Sequence, residues 1–353
     1  MSERQALAYT CAYTPLPLIH AAGLVPHRLL PTEAQEAPDQ AGAHLHDNLC
    51  PHVKRVLDRA LAGALPDNLA GVVLMGSCDA MRRLADAWRA WRPDDRVFLA
   101  DLPATTGPEA VSFFADELGR LARVLEEWSG QAPTEDRLAA SVELYRSLGA
   151  AVERRRRRAA RGELHGGWAE LQRLLNGAVT GPPEPLLDEL QGRGEGAPAA
   201  RARGTPVYLF GNVMSDPGAF AMLEECGVRV VGDDLCTGSR QLTTLDAGPD
   251  PDGGGGLSWL ARTTLARPPC ARTMIDEAEG LAGRLLARAR AAGARGVITH
   301  VLKFCDPYLA RLPALRDALR EAGVPLLVLE GDCTLRSMGQ HRTRIEAFVE
   351  MLG

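Results

Sequence analysis

Lysine is almost missing from this chain. Of 40 basic residues in 353, only Lys54 and Lys303 are lysines and the rest are arginines. A GC-rich genome produces such a skew, yet both lysines lie near cysteines, Cys50 and Cys305. A compact ammonium would suit a bound anion there better than a guanidinium fork. No apolar run approaches the ~18 residues needed to span a bilayer. The opening, Met1-Ser2-Glu3-Arg4-Gln5, lacks the charged-then-apolar pattern of an export signal. The expectation is a cytoplasmic protein away from membranes. A net charge of −5 and a pI near 6.0 give no global case for nucleic acid. No Gly-x4-Gly-Lys-Ser/Thr loop or strand-linked Gly-x-Gly-x-x-Gly is present, so any ATP used must be bound by a partner. The Gly-x-Ser-x-Gly elbow of serine hydrolases is missing too. So is any Cys-x-x-Cys pair, which argues against zinc ribbons and thioredoxin-like sites.

What is there is globular, with 46% hydrophobic and 24% charged residues, and long enough for two cores. Residues 71–75 and 96–100 read as buried strands, with a helix over 79–91 between them. Residues 109–190 have helical periodicity, broken at Pro133 and Pro182-Pro183, and 191–205 reads as a linker. Within that region the run Arg154 to Arg158 reads as a solvated helix face. The second half alternates strands at 206–210, 228–232, 296–301 and 325–329 with helices at 217–226, 273–292, 309–322 and 340–352; 248–256 reads as a flexible loop. Such alternation implies an α/β fold with parallel sheets covered on both faces. The expected units are an N-terminal α/β domain over 1–108, a helical region and linker over 109–200, and a C-terminal α/β domain over 201–353.

Eight cysteines stand at 11, 50, 78, 226, 236, 270, 305 and 333. In a reducing cytoplasm, disulfides do not account for them, so metal, catalysis or packing must. Cys78, Cys236 and Cys305 each follow an expected strand, where parallel sheets place their sites. Cys226 lies at a helix end before Gly227 and reads as core, and Cys333 reads as structural. A helix N-terminus expected after Cys236 would favour an anionic ligand, and the prolines before Cys270 would stiffen its approach. His44-x-His46-x3-Cys50-x-His52 offers a zinc alternative, but a closed zinc site leaves Cys78 and Cys305 without a role.

Several blocks carry a resemblance. They are Cys11 to Pro15 continuing to Ala21-Ala22-Gly23-Leu24-Val25-Pro26, Ser77-Cys78-Asp79-Ala80-Met81-Arg82-Arg83 with Trp88, Lys303 to Tyr308, and Gly339 to Phe348. In that order they resemble the D-component family of 2-hydroxyacyl-CoA dehydratases, which includes benzoyl-CoA reductase subunits and double-cubane cluster proteins. The resemblance implies two Rossmann-like parallel-sheet domains with a helical region and an oxygen-sensitive [4Fe-4S] cluster in the cleft between them. It matches Cys50, Cys78 and Cys305 to the three thiolates of that cluster, and offers Cys11, Cys236 and Cys270 for a second cubane, giving a double-cubane [8Fe-9S] centre. The implied activity is that of a low-potential reductase acting on a small or acyl-CoA substrate. The alternative is a single-cluster dehydratase or benzoyl-CoA reductase subunit, serving as an electron-transfer partner. Implied partners are an ATP-hydrolysing activator with its own cluster and a second subunit, either identical or a sister D-type chain. Relatives tend to carry glutamate after the opening proline, where this chain has Leu16 and Pro17. That departure counts against an ordinary dehydratase.

Overall fold

A computed structural model describes residues 4–31, 40–192, 203–243, 245, 256–271, 280–332 and 341–353. The chain forms two parallel sheets of four strands each. The first contains β1 (Ala6–Tyr9), β2 (Val25–Arg28), β3 (Leu69–Met75) and β4 (Val97–Ala100) in the order β2-β1-β3-β4. The second contains β5 (Thr205–Gly211), β6 (Val228–Asp234), β7 (Gly296–Leu302) and β8 (Leu326–Gly331) in the order β6-β5-β7-β8. The two sheets therefore repeat one topology. Every residue of β7, Gly-Val-Ile-Thr-His-Val-Leu, is buried, as a strand covered on both faces must be.

Helices α1 (Leu16–Ala21), α2 (Pro51–Leu61) and α3 (Asp79–Trp91) accompany the first sheet. The helical region that follows contains α4 (Pro108–Ser129), α5 (Glu135–Arg161), α6 (Gly167–Thr180) and α7 (Pro183–Gly192). Its elements form for local reasons. In α4, Ala110, Phe114, Leu118, Leu121 and Leu125 recur at three- and four-residue spacing and are the side chains it buries, together with Glu117. The helix stops where Gly130 turns left-handed at φ 72°. Pro133 precedes the next start, with Thr134 as N-cap and Glu135 and Asp136 in the first turn. The second sheet is accompanied by α8 (Pro217–Glu225), α9 (Leu257–Leu265), α10 (Gly280–Ala291), α11 (Asp306–Leu309), α12 (Leu312–Glu321) and α13 (Arg342–Leu352). Helix α5 packs against both α1 and β6, and a single apolar core runs from Leu7 to Leu352 through it.

The sequence reading missed β1, β2, α2 and α9 and carried 109–190 through an unforeseen break at Gly162 and Gly166, both left-handed. The expected linker begins late, because α7 continues to Gly192; residues 193–202 lie outside the described part, as do 246–255, 272–279 and Cys333. The basic run is not a solvated face. Arg156 and Arg158 are buried, and Arg156 donates to the carbonyls of Gly238 and Gln241, both at 2.8 Å.

Candidate functional site

In an open parallel sheet the crevice lies at the carboxyl ends of the strands where the order reverses. Here that point falls between β1 and β3 in one sheet and between β5 and β7 in the other. The residues leaving these four strands meet. Cys11 follows β1, Cys78 follows β3, Asn212 follows β5 and Cys305 follows β7, and all four line one cavity of about 300 Å³. Cys50, Cys236 and Cys270 line it as well. The cavity thus gathers six cysteines from both halves of the chain. Phe304, exposed to solvent at the rim, takes a left-handed φ of 56° between β7 and Cys305. A bulky residue rarely adopts that conformation.

Cys50, Cys78 and Cys305 share a local position: each is the N-cap of a helix, α2, α3 and α11 respectively. Cys50 is a close neighbour of Cys305, and its side chain, followed by burial, pushes the Cys305 thiol far up. Burial raises Cys78 to about 11. The N–H groups of Met81 and Ala80 pull in the opposite direction, although neither makes a full capping hydrogen bond. Cys11 is raised to about 12 by burial, with Cys270 and Cys236 adding to the rise, and burial likewise raises Cys236, with Cys270 beside it. The thiols therefore sort into two neighbourhoods, Cys50 with Cys78 and Cys305, and Cys11 with Cys236 and Cys270. Cys78 also feels Cys270, so the two adjoin.

Cys236 does not begin a helix. After β6 the chain enters turns over 236–240, held because Asp233 Oδ1 accepts from the N–H groups of Leu235 (3.0 Å) and Ser239 (2.7 Å). Arg240, completely buried, donates from Nη1 to the Cys236 sulfur at 3.3 Å and to the Tyr308 hydroxyl at 2.7 Å, and pairs with Asp234 at 2.8 Å. Tyr13 donates to the carbonyl of Pro268, tying the segment after Cys11 to the approach to Cys270.

Other sequence expectations settle elsewhere. Neither lysine lines the cavity: Lys54 donates to the carbonyl of Asp47 at 3.2 Å and Lys303 is exposed. Cys226 is buried in the apolar core away from the site. Of the histidines offered for zinc, His44 packs against Trp91 with ring centroids 3.9 Å apart, and His52 faces the cavity. Among the described residues no three His, Cys, Asp or Glu side chains converge closely enough for one metal ion. Asn212 and Arg28 are among the lining residues that the sequence reading did not single out. Both polar atoms of the Asn212 amide and Nδ1 of His52 are buried without a hydrogen-bond partner. The strand-end rule that found Cys78 would also have found Asn212, two residues past the expected strand 206–210.

The sequence profile of the family described as "2-hydroxyglutaryl-CoA dehydratase, D-component" matches residues 11–352, nearly the whole chain. The chain belongs to that family. It is 25% identical to the lactoyl-CoA dehydratase subunit beta of Anaerotignum propionicum, over 96% of this chain and 90% of the relative. It is also 25% identical to the (R)-2-hydroxyglutaryl-CoA dehydratase subunit beta of Acidaminococcus fermentans, over 99% and 93%. A benzoyl-CoA reductase subunit of Thauera aromatica is 24% identical, over 92% and 85%. This D-component chain is therefore a member of an enzyme family of dehydratase and reductase subunits. Among its described residues no helix is long and apolar enough to cross a membrane.

An iron–sulfur group suits the donors that this D-component chain presents. Thiols with raised pKa are poor nucleophiles, so covalent catalysis is the wrong use for them, whereas soft cations draw off their protons. A liquid water occupies about 30 Å³, so the cavity equals about ten waters in volume, far more than one ion fills.

Proposed function

We propose that this chain is an iron–sulfur reductase subunit in which Cys50, Cys78 and Cys305 hold one [4Fe-4S] cluster and Cys11, Cys236 and Cys270 a second, adjoining cubane. The single observation that carries this reading is the gathering of six thiols, from four strand ends and two loops, into one cavity between the sheets. Such a centre, when bound, supplies one-electron, low-potential chemistry. The chain's own residues prepare the place for it. The N-termini of α2 and α3 aim positive ends at the sulfurs of Cys50 and Cys78, and Arg240 donates to that of Cys236. The Asn212 amide, buried beside Cys305, offers a donor and an acceptor to whatever lies against that thiol.

With no nucleotide motif in the chain, electrons would come from an ATP-hydrolysing activator that carries its own cluster, and the substrate would be a small molecule or an acyl-CoA. The relatives are named as subunits, which supports pairing with an identical or sister D-type chain. A second reading, one cluster in a dehydratase or reductase subunit, is favoured by the close neighbourhood of Cys50 and Cys305, two of the three thiols that it needs.

Anaerobic purification with iron and acid-labile sulfide assays decides between them. About eight irons per chain are expected for two cubanes and about four for one. Cys50→Ser, Cys78→Ser and Cys305→Ser should each lower iron content sharply, because a hydroxyl is a poor exchange for a soft thiolate. Iron-free protein after anaerobic reconstitution would end both readings. Stimulation of reduction by an ATP-dependent activator, compared with dithionite alone, tests the electron route.

A further inference from the structure

Arg28 is a buried cation that pairs with no anion among the described residues. It ends β2, is 2% exposed and lines the cavity. Its guanidinium meets only neutral acceptors: Nε donates to the carbonyl of Thr10 at 3.2 Å, and Nη1 donates to the carbonyl of Cys236 at 2.9 Å and to Oε1 of Gln241. Two other buried arginines nearby are treated differently. Arg240 pairs with Asp234 at 2.8 Å and Arg156 with Glu153 at 3.5 Å. Removing a charge from water without a partner costs several kcal/mol, and folded proteins avoid it unless a counter-charge arrives.

The direction from which that charge must come is fixed by the surroundings. Arg28 bonds the main chain of Cys236 and lies close enough to act electrostatically on the thiols of both Cys236 and Cys11. It is the one arginine or lysine among the described residues that line the cavity. At the other end the charged lining residues are Asp79 and Asp306, each following a cysteine of the first triad. The cavity is therefore polar end to end, cationic beside Cys11 and Cys236 and acidic beside Cys78 and Cys305.

We infer that Arg28 is the built-in counter-ion of an anionic group held by Cys11, Cys236 and Cys270, and that this end of the cavity retains its group only while that charge is present. The inference rests on the iron–sulfur reading and goes beyond it, because it assigns a positioning role to a residue that is not a ligand. It also makes the two ends unequal. Thiolates and sulfide concentrate negative charge. At one end Arg28 offsets it, beside Arg240, whose charge is already paired with Asp234, whereas at the other only helix N-termini and neutral donors do.

The test compares anaerobically reconstituted wild type with Arg28→Lys, Arg28→Gln and Gln241→Glu, reading iron and sulfide per chain together with the low-temperature EPR spectrum of the dithionite-reduced protein. Arg28→Lys keeps the charge and is expected to keep the wild-type iron content and spectrum. Arg28→Gln keeps a donor but not the charge, and is expected to lose about half of the iron, with the spectral component that survives in Cys236→Ser retained. Gln241→Glu is the second route should Arg28→Gln fail to fold. It places a carboxylate against the same guanidinium and is expected to produce the same loss. Full iron with an unchanged spectrum in Arg28→Gln or Gln241→Glu would overturn the inference, as would a loss in Arg28→Lys equal to that in Arg28→Gln. Wild type that takes up no iron would instead overturn the iron–sulfur reading itself.

Discussion

Gly211 ends β5 immediately before Asn212, and a methyl group there would run into the backbone carbonyl of His300 on the neighbouring strand. Backbone cannot step aside as a side-chain tip can. Gly211→Ala is therefore expected to cost about 1–3 kcal/mol or more, read as a lowered urea midpoint, and to shift Asn212 out of the cavity. His300 itself supplies a pH dependence. It is buried with neither ring nitrogen hydrogen-bonded, and burial, followed by the nearby His341, lowers its pKa from 6.5 to about 4. The folded state thus binds the proton less well than the unfolded chain. Its contribution is fully present above pH 6.5 and fades as pH falls through 4, by about 3 kcal/mol. Wild type should lose that much more stability than His300→Gln between pH 7.5 and 4, in urea titrations at each pH. Equal losses would show that His300 is not the group responsible. At this scale the sequence was legible wherever residue type alone carried chemistry, as with the cysteines. Arg28 was illegible because its meaning lies in what it fails to pair with, and that depends on three elements far apart in the chain.

The elements divide by length and by the regularity of their pattern. Helix α3 was readable to the residue, since Met81, Leu84, Ala85 and Trp88 recur at helical spacing. Strands β1 and β2 were not, being four residues each, and β2 reads Val-Pro-His-Arg with alternating burial rather than an apolar run. Its edge position tolerates Pro26, whose missing N–H a central strand could not spare. Missing these strands hid the switch point from which Cys11 and Arg28 reach the cavity. The basic run of α5 misled for a related reason. Its period exposes Arg154 and Arg157 but turns Arg156 inward onto the 238–241 turn. Arg156→Met strands the Gln241 carbonyl, worth about 1–3 kcal/mol in the interior, and takes one of two donors from that of Gly238, which keeps the Gln241 N–H at 3.0 Å. The expected outcome is a destabilised protein that loses the group beside Cys236 and keeps the one beside Cys50, measured as partial loss of iron with a lowered melting temperature. Uniform loss of all iron would show that α5 supports the whole fold rather than that turn.

Across the whole molecule, the two sheets repeat one order, β2-β1-β3-β4 and β6-β5-β7-β8, and bring their switch points together. Each proposed triad draws from both halves: Cys50 and Cys78 with Cys305, and Cys11 with Cys236 and Cys270. A bound group would therefore act as a cross-link, present in the folded state and lost when the sheets separate. Ligation free energy of that kind adds to folding free energy. Reconstituted protein should melt above the chelator-treated form, with each kcal/mol worth about 2–4 °C in domains of 150–250 residues. It should also resist proteolysis near the cavity-lining segments 48–53 and 302–308, which come from opposite halves. Ser in place of Cys305 should remove the share of that difference that the first triad supplies, because Cys50 and Cys78 alone cannot hold the other half, while Cys11, Cys236 and Cys270 still span both. The converse pattern, a melting difference that survives loss of Cys305 but not of Cys78, would mean that the group is seated on the first sheet alone. Differential scanning calorimetry of the four forms, wild type and Cys305→Ser, each with and without iron, separates these outcomes. Equal iron-dependent shifts in the two proteins would show that Cys305 takes no part in the cross-link, whereas a smaller shift in Cys305→Ser would show that it does.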